Sequence, residues 1–167
     1  MKENQPRPVR KIDTTQMTRV DPTSDFDPRI GVAAERASRF LAAHDWCQDI
    51  LGVWYARSMQ SLDVLYVQFR SDEAETDHAW VVVGDVPPAY LDADDIKNAI
   101  QALHGYADEV QRWCDKVLGT DYEDPVMPLR DPASWELLPE TEENARRLEV
   151  LVGRIVDFIA ENAEDLV

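Results

Sequence analysis

Histidine and cysteine are scarce in this chain, which limits the chemistry it can perform. There are 3 histidines and 2 cysteines in 167 residues. His44 and Cys47 lie close together on a predicted helix and could supply half of a zinc site, but no second ligand pair at zinc-type spacing occurs elsewhere. We therefore predict no metal site and expect both side chains to belong to the core.

The remaining histidines do not form a catalytic pair. His104 and Cys114 share one predicted helix, whose rise separates them by about 15 Å, too far for a base and its nucleophile. His78 begins a predicted strand beside Asp77, with no nucleophile paired to it. The chain also lacks glycine-rich phosphate loops, the serine nucleophile motif and the helical zinc-protease motif. We predict no catalytic residue and no cofactor.

Three carboxylates, Asp92, Asp94 and Asp95, could be read as the start of a calcium loop. Such a loop needs Gly at its sixth position and Glu at its twelfth. Counted from Asp92, these positions hold Lys97 and Leu103, so the pattern fails. We predict instead that the three carboxylates lie at the positive N-terminus of a helix.

Charge is the strongest signal in the composition. The chain has 17 basic and 33 acidic residues, a net charge of -16. This charge disfavours nucleic acid and anionic membrane surfaces and suits a basic protein partner. No apolar stretch approaches the roughly 20 residues that span a bilayer, and the N-terminus has no apolar signal core. We expect a cytoplasmic protein.

Local patterns predict one α+β domain of order α-β-β-β-α-α, a three-stranded antiparallel meander packed against three helices. The first helix begins at Asp27 and Pro28 and ends at Gly52, and strands follow at residues 53–57, 62–70 and 79–83. A second helix opens among the three carboxylates and ends at Gly119, and Thr141 caps the third. The class follows from the segregation of strands and helices.

The first 25 residues differ from the rest of the chain. They contain three prolines and few large apolar residues, and the stretch up to Arg19 has more basic than acidic residues. We predict a flexible basic arm over residues 1–25 and a single α+β domain over residues 26–167. A Pro-rich crossing segment is expected at residues 120–139.

Residues 80–87 have the pattern W-V-x-x-G-D-x-P, which predicts a strand that ends in a turn. The residues that follow share spaced small, apolar and aromatic positions: Tyr90, Ala99, Ala102, Leu103, Tyr106 and Trp113. In these features the chain resembles a small uncharacterised bacterial family, a domain of unknown function. The resemblance centres on residues 62–117 and implies a small soluble bacterial protein without a known activity. The basic arm and the Pro-rich crossing depart from that family.

Three functions fit these patterns. The first is a non-catalytic protein-binding or regulatory module, of inhibitor or immunity type, with a basic partner. Another is an acidic mimic of nucleic acid that occupies a DNA-binding protein. The alternative is a small-molecule binder or unfamiliar enzyme whose aromatic-lined pocket lies near Trp80 and Asp85. The candidate pocket or partner surface consists of Trp54, Tyr66, Trp80, Asp85, Tyr90, Asp92, Asp94 and Asp95.

Overall fold

The computed structural model describes residues 12, 14–15, 17–20, 27–119 and 125–166, which form an antiparallel sheet with helices on both faces. The strands are β1 (Thr18–Arg19), β2 (Cys47–Met59), β3 (Leu62–Ser71), β4 (Thr76–Gly84) and β5 (Ala89–Asp92). The helices are α1 (Pro28–Ala42), α2 (Ala99–Val117) and α3 (Glu142–Glu161), followed by a short 3-10 helix over Ala163–Leu166. The strands pair in chain order, from β1 at one edge to β5 at the other.

The predicted three-stranded meander is wrong, because the sheet has five strands. β1 lies within the predicted arm and pairs Thr18 with Tyr55, while β5 lies between the third predicted strand and the second predicted helix and pairs Tyr90 with Val81. Both strands are too short to show a period in the sequence. They are strands only because their backbones pair with β2 and β4, and that pairing is a tertiary contact.

Most of the predicted arm lies outside the described residues, namely 1–11, 13, 16 and 21–25. Two of its described side chains, Ile12 and Met17, pack against the core on the α2 and α3 side of the sheet. The described residues of the arm therefore contact the sheet and the core.

Helices cover both faces of the sheet. Val64 and Val82 face α2 and α3, whereas Leu65 and Val81 face α1, and all four side chains are fully buried. This double burial explains why β3 is apolar on both of its faces. The sequence predicted a helix over only one face, because a run of apolar residues does not say how many layers cover it.

Local capping signals place some helix ends and miss others. The Asp27 side chain accepts a hydrogen bond from the Arg29 backbone at 3.0 Å, and Thr141 caps α3 as predicted. The first helix ends at Ala42, and Gly52 lies inside β2. The predicted end at Gly52 was therefore wrong, because the chain turns after Leu41, where the His44 amide donates to the Leu41 carbonyl.

The predicted start of α2 among Asp92, Asp94 and Asp95 is also wrong. Asp92 ends β5, and the next two carboxylates lie in the turn after it. The helix begins at Ala99, where the Asn98 side chain accepts a hydrogen bond from the Gln101 backbone at 2.9 Å. The Asp92 carboxylate instead accepts the Asp94 amide at 3.0 Å, which uses its capping capacity in the turn.

Candidate functional site

Three of the predicted pocket residues form a row across the sheet. Trp54 pairs with Tyr66, and Tyr66 pairs with Trp80, on the face covered by α2 and α3. Their ring centroids lie 5.8 and 5.0 Å apart. Trp80 is fully buried, and its indole N–H donates to the Ile96 carbonyl at 3.1 Å. The three rings pack against one another across neighbouring strands and form part of the core.

The structure does not bring Asp85 and Tyr90 to that row. Asp85 is exposed in the turn between β4 and β5, where its amide donates to the Ser61 carbonyl at 3.0 Å. Tyr90 points to the opposite face of the sheet, and its ring lies 6.4 Å from that of Phe40 on α1. The row of rings, Asp85 and Tyr90 therefore occupy three separate places, and Asp94 and Asp95 lie in the turn after β5.

Tyr90 belongs to a cluster of rings beyond the C-terminal half of α1, which we call the aromatic surface: Phe40, His44, Trp46, Tyr90 and Trp135. His44, Trp46 and Tyr90 contact one another, with centroid distances of 4.8 to 5.0 Å. Tyr90 is 36% exposed, and the neighbouring His44, Trp46 and Trp135 are half-buried. Rings that pack together and still reach solvent present a preformed contact face.

The turn after α1 orients the rings of His44 and Trp46. The His44 Nδ1 atom lies 2.9 Å from the Phe40 carbonyl oxygen and 3.2 Å from that of Leu41, so it donates to the end of the helix. Trp46 follows directly and packs on Phe69 of β3 at 5.3 Å. One backbone turn thus sets both rings against the sheet.

Trp135 reaches the aromatic surface from the Pro-rich segment. Its backbone has a φ of 60°, in the left-handed region that most residues avoid. The turn is held by the Asp131 carboxylate, which accepts the Ala133 and Ser134 amides at 2.9 and 3.0 Å. These donors lower the pKa of Asp131 below its usual range. The Trp135 ring meets Phe40 edge to face at 6.1 Å.

Carboxylates border the aromatic surface, and the exposed members are Asp45, Asp72, Asp77 and Asp92. Asp92 lies two residues after Tyr90 on β5 and so shares its face. Asp77 pairs across the sheet with Phe69, and the Asp72 amide donates to the Trp46 carbonyl at 3.0 Å. Asp45 stands between His44 and Trp46 in the chain. These carboxylates, which we call the rim, border the aromatic surface together with the Arg39 guanidinium, which lies over the Trp135 ring.

The sequence predictions named Tyr90 and Asp92 but missed Trp46 and Trp135. In the sequence, Trp46 lies within the predicted first helix and Trp135 lies within the predicted Pro-rich segment. Neither placement links positions that lie almost 90 residues apart, because only the fold brings residues 46 and 135 to the same side of α1.

A second polar cluster lies near the start of α1. Asp63 is the charged residue that the described structure buries, with 6% exposure. Its carboxylate accepts the Tyr55 hydroxyl at 2.6 Å and forms an ion pair with Arg29 at 3.5 Å. Burial and the hydrogen bond to Asp63 raise the pKa of Tyr55 to about 12. Tyr55 therefore stays protonated at neutral pH and acts as a donor, not as a base.

The cysteines and the other histidines are not arranged for catalysis. Cys47 and Cys114 are buried free thiols, and burial raises the pKa of both. His78 stacks on Tyr66 at 5.2 Å, and burial lowers its pKa. His104 is exposed beside Asp108 at 3.6 Å. Within the described ranges, no three of the His, Cys, Asp and Glu side chains are grouped so that they could hold a metal ion.

Comparison of the chain with known protein families, with curated proteins and with solved structures gives no match. The resemblance based on residues 80–87 therefore stays a prediction. None of the described helices is both long enough and apolar enough to cross a membrane.

Proposed function

We propose that this protein is a non-catalytic protein-binding or regulatory module, of inhibitor or immunity type, that binds a basic protein partner through the aromatic surface. The observation that carries the proposal is the set of solvent-reaching rings of Trp46, Tyr90 and Trp135 bordered by the rim of carboxylates. Tryptophan and tyrosine supply much of the binding energy at protein interfaces.

The chemistry of the surface favours lysine and arginine side chains. A cation is attracted to the face of an aromatic ring, and nearby carboxylates strengthen that attraction. The protein already contains such a contact here, because the Arg39 guanidinium lies over the Trp135 ring at 5.7 Å. A net charge of -16 would also speed the approach of a basic partner.

The same charge argues against nucleic acid and membrane surfaces as partners, since both would need basic contacts. We further propose a cytoplasmic location. Cys47 and Cys114 are not joined in a disulfide, which fits a reducing compartment.

The test is a titration of the full chain with a short arginine-rich peptide, in which the change in tryptophan fluorescence reports binding. A glutamate-rich peptide of the same length serves for comparison. We expect saturable binding of the arginine peptide alone. Tyr90→Ala should weaken it by about threefold to tenfold, because it removes one ring of the surface.

Leu51→Ala is the matched control. Leu51 is 38% exposed, close to the 36% of Tyr90, and it lies on β2, which β3 and β4 separate from β5. We expect this variant to bind like the wild type. Equal binding by wild type and Tyr90→Ala would show that the peptide contacts the acidic protein elsewhere, and the proposal would fail.

A further inference from the structure

A cleft of about 400 Å³ lies beside the first half of α1, away from the aromatic surface. One wall is a stripe of α1 that contains Arg29, Val32 and Arg36. The other wall is formed by two turns, which place Ser61 and Asp85 opposite the helix. The volume is in the range of small-molecule sites.

The walls of the cleft are fixed before any ligand arrives. The Arg29 guanidinium donates to the Gln60 carbonyl at 2.7 Å, which ties the helix to the turn between β2 and β3. That turn is joined to the next one where the Asp85 amide donates to the Ser61 carbonyl. Gly84 has a φ of 122°, and its position allows the two turns to meet closely.

Two oppositely charged side chains of the cleft, Arg36 and Asp85, have no ion-pair partner among the described residues. Among the described residues, neither the Arg36 guanidinium nor the Asp85 carboxylate makes an ion pair or a side-chain hydrogen bond. Both side chains are exposed and line the same space. Arg29, in contrast, is committed to Asp63 and to the turn.

The cleft is also electrically balanced, unlike the molecule as a whole. Arg29 and Arg36 offset Asp63 and Asp85, in a chain of net charge -16. A simple anion or a simple cation meets as much repulsion as attraction among these four charges, so neither is favoured. A ligand that carries both charges, a few ångströms apart, meets attraction at both ends.

We propose that this cleft binds a small zwitterion of the α-amino acid class. Its carboxylate pairs with Arg36, and its ammonium group pairs with Asp85. An apolar side chain of the ligand rests on Val32, which is 52% exposed at the cleft wall. The inference is independent of the proposed partner, since Tyr90 does not line the cleft.

The test is a titration of the full chain with leucine, leucinamide and N-acetyl-leucine at millimolar concentration, monitored by amide chemical shifts. Leucine should shift the amides of Val32, Ser61 and Asp85. Each derivative lacks one of the two charges and should bind about tenfold more weakly, the loss expected for one charge-assisted hydrogen bond.

Two variants test which side chain of the cleft binds each charged group of the ligand. Arg36→Gln should abolish the preference for leucine over leucinamide, and Asp85→Asn should abolish the preference over N-acetyl-leucine. Arg112→Gln, an exposed position on α2, is the control and should keep both preferences. Absence of shifts at the three amides, equal binding of the three probes, or retained preferences in both variants would overturn the inference. Tyr90→Ala should bind leucine like the wild type, so this test and the peptide test fail separately.

Discussion

Asp63 is a carboxylate in the interior of the protein, and its neighbours account for its burial. An ionised carboxylate loses its hydration when it is buried, so it needs hydrogen-bond donors and a nearby cation. The Tyr55 hydroxyl at 2.6 Å and the Arg29 guanidinium at 3.5 Å supply these. The cluster ties β2, β3 and the start of α1 together, beside the zwitterion cleft.

Tyr55→Phe removes one donor from the Asp63 carboxylate without changing the ring. We expect the free energy of unfolding to fall by about 1.5 to 3 kcal/mol, the usual contribution of a hydrogen bond to a charged group. Urea unfolding measures the change. Tyr90→Phe is the control, since no hydrogen bond to the Tyr90 hydroxyl occurs among the described residues; equal losses in the two variants would contradict the assignment.

At the scale of elements, the contact between two turns fixes one end of the sheet. The β2–β3 turn and the β4–β5 turn approach so closely that a side chain at Gly84 has no space. A Cβ atom built there would lie 2.1 Å from the Ser61 carbonyl oxygen, which belongs to the backbone and cannot rotate away. The positive φ of Gly84 adds strain for any other residue.

Gly84→Ala should therefore lower the free energy of unfolding by about 1 to 3 kcal/mol. The matched change Gly153→Ala lies within α3, where a Cβ would meet nothing within 4 Å. There the same substitution should raise stability by about 0.5 to 1 kcal/mol, because alanine favours the helix. Thermal unfolding of both variants gives the signs, and a stabilised Gly84→Ala would show that the two turns can separate.

At the scale of the whole molecule, part of the negative charge borders the exposed rings. The aromatic surface combines parts of α1, the turn after it, β5 and the Pro-rich segment, and its rim adds carboxylates from β4 and two loops. A long-range field from a charge of -16 acts on the rate of encounter, whereas the local rim sets where the partner binds.

Reversing one carboxylate of the rim separates these two contributions. Asp92→Lys should slow association with the arginine-rich peptide severalfold at low salt, and the difference should shrink as salt screens the charge. Asp157→Lys changes the net charge by the same amount on exposed α3 and is the control. Stopped-flow fluorescence measures both rates; identical slowing would mean that only net charge matters.

The predictions that succeeded rest on short-range signals. Asp27 and Thr141 cap helices because each side chain bonds an amide two or three residues away. Gly119 follows the last turn of α2 with a φ of 83°, a left-handed conformation that favours glycine at the end of a helix. The apolar stripe of α2 likewise reports a single period within one helix.

The sequence by itself thus predicted that three helices and three central strands exist, though not all of their ends, and it determined the net charge of -16. Only the tertiary structure decided that β1 and β5 extend the sheet and that Tyr90 faces α1 while Trp80 faces α2. The Asn98 cap of α2, in contrast, is a local signal that the sequence analysis missed. The physical reason is range. Caps and periods act over a few residues, whereas edge pairing and the meeting of Trp46 with Tyr90 join segments that are adjacent only after folding.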